Sequence, residues 1–211
     1  MSTRKRLVVA AVVALVIAGL ATGLGTVMKQ NADYSADYVA SQMAEQRIRF
    51  KPAEHLTAEE RAQPCVVANA GKALRTGKQA ECYANHFIAV HLEQYGQGKT
   101  YAEWGVDEFA LVDQLAAAKE DGASSRRIAA LEADLAKIRA TRAVLFQGET
   151  LRGILLTSFG FSTLGEKAGQ AAAVAFGVAA VLALAATVAL AGAGLTAMRT
   201  RTVGTLAPAS S

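Results

Sequence analysis

The chain has 211 residues, of which 52% are hydrophobic and 19% charged, and its formal net charge is +4. This apolar content excludes an intrinsically disordered chain, because such chains combine low hydrophobicity with high net charge. Residues 1–6 carry three basic side chains and residues 199–211 carry two, while residues 29–170 hold 17 basic and all 18 acidic residues. The basic excess therefore belongs to the two ends, and no nucleic-acid partner is expected.

Residues 7–28 form an uncharged apolar stretch near the N-terminus. About 20 apolar residues in a helix cross a hydrocarbon core of about 30 Å, so we predict a first transmembrane helix here. Gly19 and Gly23 form a small-residue step and are its candidate packing residues. The alternative is a cleaved signal peptide, because small residues such as Gly19 and Ala21 suit a signal peptidase. The apolar run continues to Met28, which favours an uncleaved anchor.

The segment after the first stretch is expected to continue as a helix and then to break. Over residues 31–48 the helix would extend outward, carrying Tyr34, Tyr38 and Met43. Residues 50–64, which contain two prolines, interrupt the helical pattern. Within this break Thr57 and Glu60 form a capping-box pattern, which predicts one short helical turn.

Two further capping boxes predict the starts of the next helices. Thr76 with Gln79 opens a helix that ends at Gly96, and Thr100 with Glu103 opens one that ends at an Asp-Gly pair. The first is amphipathic, and its predicted apolar face comprises Ala80, Tyr83, Phe87, Val90 or His91, and Tyr95. The second carries Trp104, Phe109, Leu111, Val112 and Leu115.

A longer helix is expected from Ser124 or Ser125. Its apolar stripe has steps of three and four residues and supplies the candidate interaction-surface residues Ile128, Leu131, Leu135, Ile138 and Leu145. Arg142 falls on an expected apolar position and the run covers fewer than three heptads, so packing within a small bundle is favoured over self-association. A further interpretation is that this helix pairs antiparallel with the helix rising from the first stretch.

The last part of the chain contains two apolar segments. Residues 149–168 are an apolar segment punctuated by glycine, and either lie in the membrane interface or form a neck beneath the preceding domain. Residues 171–198 form an Ala-rich uncharged stretch of about 28 residues, which predicts a second transmembrane helix. Alanine is a strong helix former but only mildly hydrophobic, so the extra length offsets its weak transfer energy.

Basic residues flank both predicted spans. Arg4, Lys5 and Arg6 precede the first, and Arg199 and Arg201 follow the second. Because basic residues favour the cytoplasmic side, both tails are expected in the cytoplasm of a bacterial plasma-membrane protein. The predicted fold is an all-α membrane protein whose two transmembrane helices flank an extracytoplasmic helical domain over residues 29–170.

Cys65 and Cys82 are the two cysteines of the chain. Both lie in the predicted extracytoplasmic region, where oxidising conditions favour a disulfide that closes a loop of about 17 residues. The alternative is a metal-binding or thiol redox-sensing module in which His86 joins the cysteines, with His91 as a further ligand. The short paired spacings typical of zinc sites do not occur, so no metal or other cofactor is expected.

The sequence carries no recognisable catalytic constellation. His91 and Glu93 stand one position away from the spacing of a zincin motif, and there is no nucleophile elbow or glycine-rich phosphate loop. We therefore expect a non-enzymatic integral membrane protein that acts as an anchored interaction or accessory subunit. Its expected partners are the lipid bilayer and another membrane or envelope protein, or a second copy of the chain.

Two segments of the sequence resemble a known group. The first runs from Thr76 to Ala80 and continues through Tyr83, Ala84 and residues 86–92; the second is residues 145–153. Both resemble recurring segments of uncharacterised actinobacterial two-span membrane proteins with an extracytoplasmic helical domain. The resemblance implies the same architecture and carries over no catalytic or binding residue.

Overall fold

The fold is taken from a computed structural model, which describes the backbone of residues 2–205 and the side chains of residues 2–197. The described chain is helical, as predicted, and contains no strand; a single β-bridge joins Arg49 and Ala73. Its α-helices are α1 (Thr3–Gln46), α2 (Ala58–Arg61), α3 (Pro64–Asn69), α4 (Gly77–Cys82), α5 (Ala89–Tyr95), α6 (Tyr101–Glu120) and α7 (Ser125–Thr205). A 3₁₀ turn spans Ala53–His55 and a π-helix spans Tyr83–Ile88.

The chain divides into two compact units. The helix-pair unit comprises the residues up to Ala36 together with those from Leu164 onward, and the central unit is Asp37–Thr163. Both α1 and α7 contribute to each unit. The side chains of Arg199 and Arg201, and the rest of the expected tail over 199–211, lie outside the part described at side-chain level.

The helix-pair unit is packed through small residues at heptad spacing. On α7 the buried positions follow one another in steps of seven, from Gly165 through the alanines at 172, 179, 186 and 193. On α1 the buried positions Ala11, Ala18 and Gly25 show the same step. A repeat of seven keeps one narrow face of each helix toward its neighbour, and small residues let the two backbones approach closely.

Gly19 and Gly23 do not lie in the contact between α1 and α7, so their packing role stays a prediction for contacts outside this helix pair. Both are exposed, and a Cβ added at either would meet nothing within 4 Å. The glycine of α1 that meets the other helix is Gly25, whose added Cβ would lie 2.9 Å from the Phe176 ring. An Ala-rich helix has small residues on every face, so the side chain on the opposite helix decides which of them is used.

Large apolar side chains of the helix-pair unit point outward. Leu20 is 71% exposed and Val188 is 73% exposed. Both α1 and α7 are long and apolar enough to cross a membrane, and only 11% of the most apolar window of each is buried. This distribution is the reverse of that in a water-soluble protein, whose large apolar residues lie in the core.

In the central unit the three predicted capping boxes are confirmed. The hydroxyls of Thr57, Thr76 and Thr100 accept hydrogen bonds from the backbone N–H three residues later, at the starts of α2, α4 and α6. The extension of α1 beyond the first apolar stretch is also confirmed, since this helix ends at Gln46. Residues 149–168 belong to the continuous helix α7 and form no separate helix.

Helices α6 and α7 form an antiparallel hairpin that closes at Gly122, which has a φ of +67°. Lys119 pairs with Glu132 across this hairpin at 2.8 Å. Because Leu135 and Leu145 are buried and Ile128, Leu131 and Ile138 are half-buried, the stripe predicted as an interaction surface packs largely within the chain. These five residues therefore leave little open surface for a partner, and their role as an interaction surface stays a prediction.

Arg142 occupies the expected apolar position on α7 and remains partly buried there. Its guanidinium lies 4.3 Å from the centre of the Tyr101 ring and pairs with Glu108, which also accepts a hydrogen bond from Arg139 at 2.8 Å. The planar cation stacks on the ring while its edge meets the carboxylate, which explains how a charged residue fits the seam.

The apolar core of the central unit joins both ends of the unit's sequence. Val39 and Met43 of α1 and Leu145 and Leu155 of α7 belong to one buried cluster, whose remaining members are Phe50, Leu56, Val66, Leu74, Ala80, Cys82, Ala84, Ile88 and Leu92. The predicted antiparallel pairing of α1 with α7 is thus present here, with Tyr38 and Phe161 in edge-to-face contact at 5.8 Å.

The predicted apolar face of the 77–95 helix needs one correction. Four of its buried residues, Ala80, Ala84, Ile88 and Leu92, follow in steps of four, whereas Tyr95 is 48% exposed. The π-helix over Tyr83–Ile88 explains the shift, because a wider turn brings residues four apart more nearly into line than an α-helix does.

Candidate functional site

The two cysteines lie together at disulfide-bonding distance. Cys65 of α3 and the buried Cys82 of α4 have sulfur atoms 2.07 Å apart and Cα atoms 6.0 Å apart, in agreement with the expected bond. The ring Nδ1 of His86 lies 2.9 Å from the side-chain oxygen of Gln63. The structure therefore does not assemble the alternative metal set, and residues 2–205 contain no group of three metal-ligating side chains placed around one point.

His91 belongs to a different cluster, centred on the buried carboxylate of Glu60. Glu60 is only 1% exposed and accepts hydrogen bonds from the Lys51 ammonium at 2.7 Å and from the Thr57 backbone N–H at 2.8 Å. The Nε2 atom of His91 lies 3.1 Å from the same carboxylate. In the sequence Glu60 is recognisable only as a capping residue. The fold brings Lys51 and His91 to its carboxylate.

Both ring nitrogens of His91 face acceptors. Nδ1 lies 2.6 Å from the Phe87 carbonyl oxygen, while Nε2 faces Glu60. The Glu60 carboxylate is therefore held between the Lys51 ammonium and the His91 ring.

The surroundings of this cluster shift the pKa values of Glu60 itself and of Tyr83. Burial raises the pKa of Glu60, but the hydrogen bonds from Lys51 and Thr57 and the nearby positive charges outweigh it, so its pKa is lowered overall. Burial, together with the Glu60 charge, raises the pKa of Tyr83. Tyr83 stacks on Phe87 at 4.6 Å, and Phe87 in turn contacts His91 at 4.6 Å. The cluster is fully engaged with its own neighbours and holds α2 against the π-helix and α5.

An apolar groove of about 640 Å³ lies between α1 and α7 within the central unit. Buried Val39, Met43 and Leu155 form its floor. Its walls carry exposed apolar side chains, and Ile154 is 57% exposed. The other lining residues are Tyr38, Gln42, Gln46, Ile48, Thr150, Leu151, Gly153, Thr157, Ser158 and Phe161.

The groove is uncharged and less polar than its composition indicates. Its lining contains no Asp, Glu, Lys or Arg. The hydroxyls of Thr150, Thr157 and Ser158 donate to carbonyl oxygens four residues earlier in α7, at 2.7 to 3.1 Å. Since these O–H groups are engaged with the backbone, the other polar side-chain groups of the lining are the amides of Gln42 and Gln46 and the phenol of Tyr38.

Sequence analysis identified part of this groove. The apolar segment 149–168 supplies one wall, through Leu151, Ile154 and Phe161. The sequence does not place Tyr38, Gln42 and Met43 opposite that wall. The predicted helical extension of the first stretch is the signal that includes these residues. Leu164, from the same segment, belongs to the helix-pair unit and is 70% exposed.

Comparison with known proteins identifies no relative. No protein-family model matches the chain, and neither the curated proteins nor the solved structures contain a significant match. Functional assignment therefore depends on the geometry of the chain itself.

Proposed function

We propose that this chain is an integral membrane protein with two spans, residues 7–28 and 171–198, which displays residues 29–170 outside a bacterial plasma membrane. Residues 1–6 and 199–211 would lie in the cytoplasm. In this proposal the protein is a non-enzymatic anchored subunit, whose external helical domain binds another component of the membrane or envelope.

The observation that carries the proposal is the inverted distribution of side chains in the helix-pair unit. Small residues fill the contact between the helices, and large apolar residues such as Leu20 and Val188 point away from it. In water such a surface would strongly favour aggregation, whereas in lipid it faces a solvent of its own polarity. Both apolar stretches also lack acidic residues, as is expected of helices that lie in a lipid bilayer.

Two features support the proposed orientation. Basic residues stand at the outer flank of each stretch, and every acidic residue lies between the stretches. The Cys65 and Cys82 sulfurs are at bonding distance, which suits an oxidising compartment. For the binding role, exposed apolar side chains such as Phe109 of α6 offer surface to the external component.

Topology is tested with reporters in the full chain. Green fluorescent protein, which folds poorly outside the cytoplasm after ordinary export, is fused after Ser211; alkaline phosphatase, which is active outside it, is inserted at the exposed Gly122 turn. We expect fluorescence from the first fusion and phosphatase activity from the second. A phosphatase-active fusion after Ser211 would overturn the orientation.

The binding role is tested by extracting the tagged native protein in mild detergent after crosslinking in cells. We expect one protein to co-purify in stable proportion. The matched control is the same chain with Phe109→Asp, because this side chain of α6 is 71% exposed and lies outside the groove, and a charge there should repel an apolar partner. Recovery of the protein alone from both would argue against the accessory-subunit role while leaving the topology intact.

A further inference from the structure

We infer that the groove between α1 and α7 holds a hydrocarbon chain of a lipid. This inference rests on the membrane anchoring proposed above, and it gives the groove a ligand of stated chemistry. Three features of the groove support this ligand, namely its elongated shape, its lack of charge, and its place in a chain that is itself proposed to lie in lipid.

The groove is elongated along α7. It runs from Thr150 to Phe161, which corresponds to about 16 Å at 1.5 Å per residue. A hydrocarbon chain, whose carbons make contact at about 4 Å, can lie along this length against the apolar floor of the groove.

The polarity of the lining agrees with such a ligand. The floor of Val39, Met43 and Leu155 is buried and apolar, and the wall hydroxyls are engaged with α7 carbonyls. An extended peptide would bring its own N–H and C=O groups into the groove, and each buried group without a partner costs free energy. A hydrocarbon chain carries no such groups. The amides of Gln42 and Gln46 remain to hydrogen-bond the ester or other polar end of the lipid.

Few residues of the sequence separate the groove from the two proposed spans. Tyr38 lies ten residues after Met28, the end of the first stretch, and Phe161 lies ten residues before Ala171, the start of the second. At one end of the groove the rings of Tyr38 and Phe161 meet edge to face at 5.8 Å. Aromatic side chains with one polar end are common where apolar and aqueous surroundings meet.

Two glycines of α7 allow a matched test. Gly153 lines the groove, Gly160 does not, and a Cβ added at either would meet nothing within 4 Å. Gly153→Phe should therefore fill the groove without displacing the backbone. Gly160→Phe adds the same side chain to the same helix outside the groove, and it controls for the change in helix propensity.

The experiment uses the full chain in phosphatidylcholine nanodiscs that contain a phosphatidylcholine with a diazirine at the end of one acyl chain. After irradiation, labelled residues are located by fragment-ion mass spectrometry. We expect label on groove residues such as Met43 and Ile154 as well as on the two apolar stretches. Relative to the stretches, groove label should fall about tenfold in Gly153→Phe and stay unchanged in Gly160→Phe.

Ile154→Asp gives a second test if Gly153→Phe fails to fold, since this residue is 57% exposed. It should also lower groove labelling, because burying a carboxylate beside a hydrocarbon chain is unfavourable. Wild-type protein with labelled stretches and an unlabelled groove would overturn the inference but leave the anchoring intact. Unlabelled stretches would instead argue against the anchoring. A photoreactive residue at position 154 that crosslinks in cells to another polypeptide or to a second copy would also overturn the inference.

Discussion

Ser35 faces Gly165 where α1 and α7 leave no room for another side-chain atom. A Cβ added at Gly165 would lie 2.5 Å from the Cβ of Ser35, an atom fixed to the backbone of α1. Ser35 is itself only 3% exposed. The contact therefore requires glycine at 165, and it provides a direct test of the packing in the helix-pair unit.

We predict that Gly165→Leu destabilises this packing by about 1–3 kcal/mol, the usual cost of overfilling a close contact. Gly177→Leu is the control, because Gly177 lies on the same helix and a Cβ added there meets nothing within 4 Å. Thermal unfolding of the detergent-solubilised protein, followed by circular dichroism, measures the difference. Equal midpoints for the two variants would contradict the proposed register of the helices.

Removal of the Glu60 charge is predicted to destabilise the central unit. Glu60→Gln leaves the ammonium of Lys51 and the ring of His91 without their shared carboxylate, and weakens the capping box of α2. The side chains of Lys51 and His91 are partly exposed, so water reduces the cost, and we expect a loss of about 1–3 kcal/mol. Chemical denaturation gives the value. Glu59→Gln, the exposed neighbour, should change stability by no more than about 0.5 kcal/mol.

Acid is predicted to destabilise the fold partly through Glu60. The pKa of this carboxyl is lowered from its usual value near 4.5, so below that pH the unfolded chain binds the proton more readily than the folded chain. The contribution is therefore complete above about pH 5 and is lost as the pH falls through the lowered pKa. Glu103 and Glu108 also have lowered pKa values and act in the same direction.

The acid effect is measured as the unfolding midpoint between pH 7 and pH 3. In Glu60→Gln the midpoint should fall less steeply below about pH 5 than in the wild type, because one of the titrating carboxyls is gone. Identical slopes would show that Glu60 does not change its proton affinity on folding.

The bond between Cys65 and Cys82 is predicted to stabilise the central unit by about 3 kcal/mol, since it closes a loop of 17 residues in the unfolded chain. Reduction should therefore lower the denaturant midpoint of the wild-type protein. The double variant Cys65→Ala/Cys82→Ala should start from the lower value and show no response to reductant. A wild-type midpoint that is insensitive to complete reduction, verified by thiol alkylation and mass, would contradict this prediction.

Local signals in the sequence predicted local structure well. The pattern of Thr57 with Glu60, like the other two capping boxes, depends on atoms three residues apart, and each starts a helix at the expected residue. The extension of α1 past Met28 was likewise visible, because helix-forming residues continue without a break. These features need no information about the rest of the chain.

Most contacts between distant residues were not visible, although the Cys65–Cys82 bond and the antiparallel pairing of α1 with α7 were expected. The contact between Glu60 and His91 joins residues that are 31 positions apart in the sequence. Leu135 and Leu145 are buried by other helices, and the apolar stripe on α7 does not specify where those helices lie. The choice between Gly19 and Gly25 as the packing glycine depends on Phe176, which lies on the other long helix. The groove likewise exists only once α1 and α7 are paired.

The small residues that join α1 and α7 have a consequence for genetics. Positions such as Ala11, Ala172, Ala186 and Ala193 are nearly inaccessible, yet they already carry the side chain that an alanine scan would introduce. Such a scan would pass over this contact and report two inert hydrophobic segments. Only substitutions that add atoms, tested at every seventh position, would reveal that the two ends of the chain recognise each other.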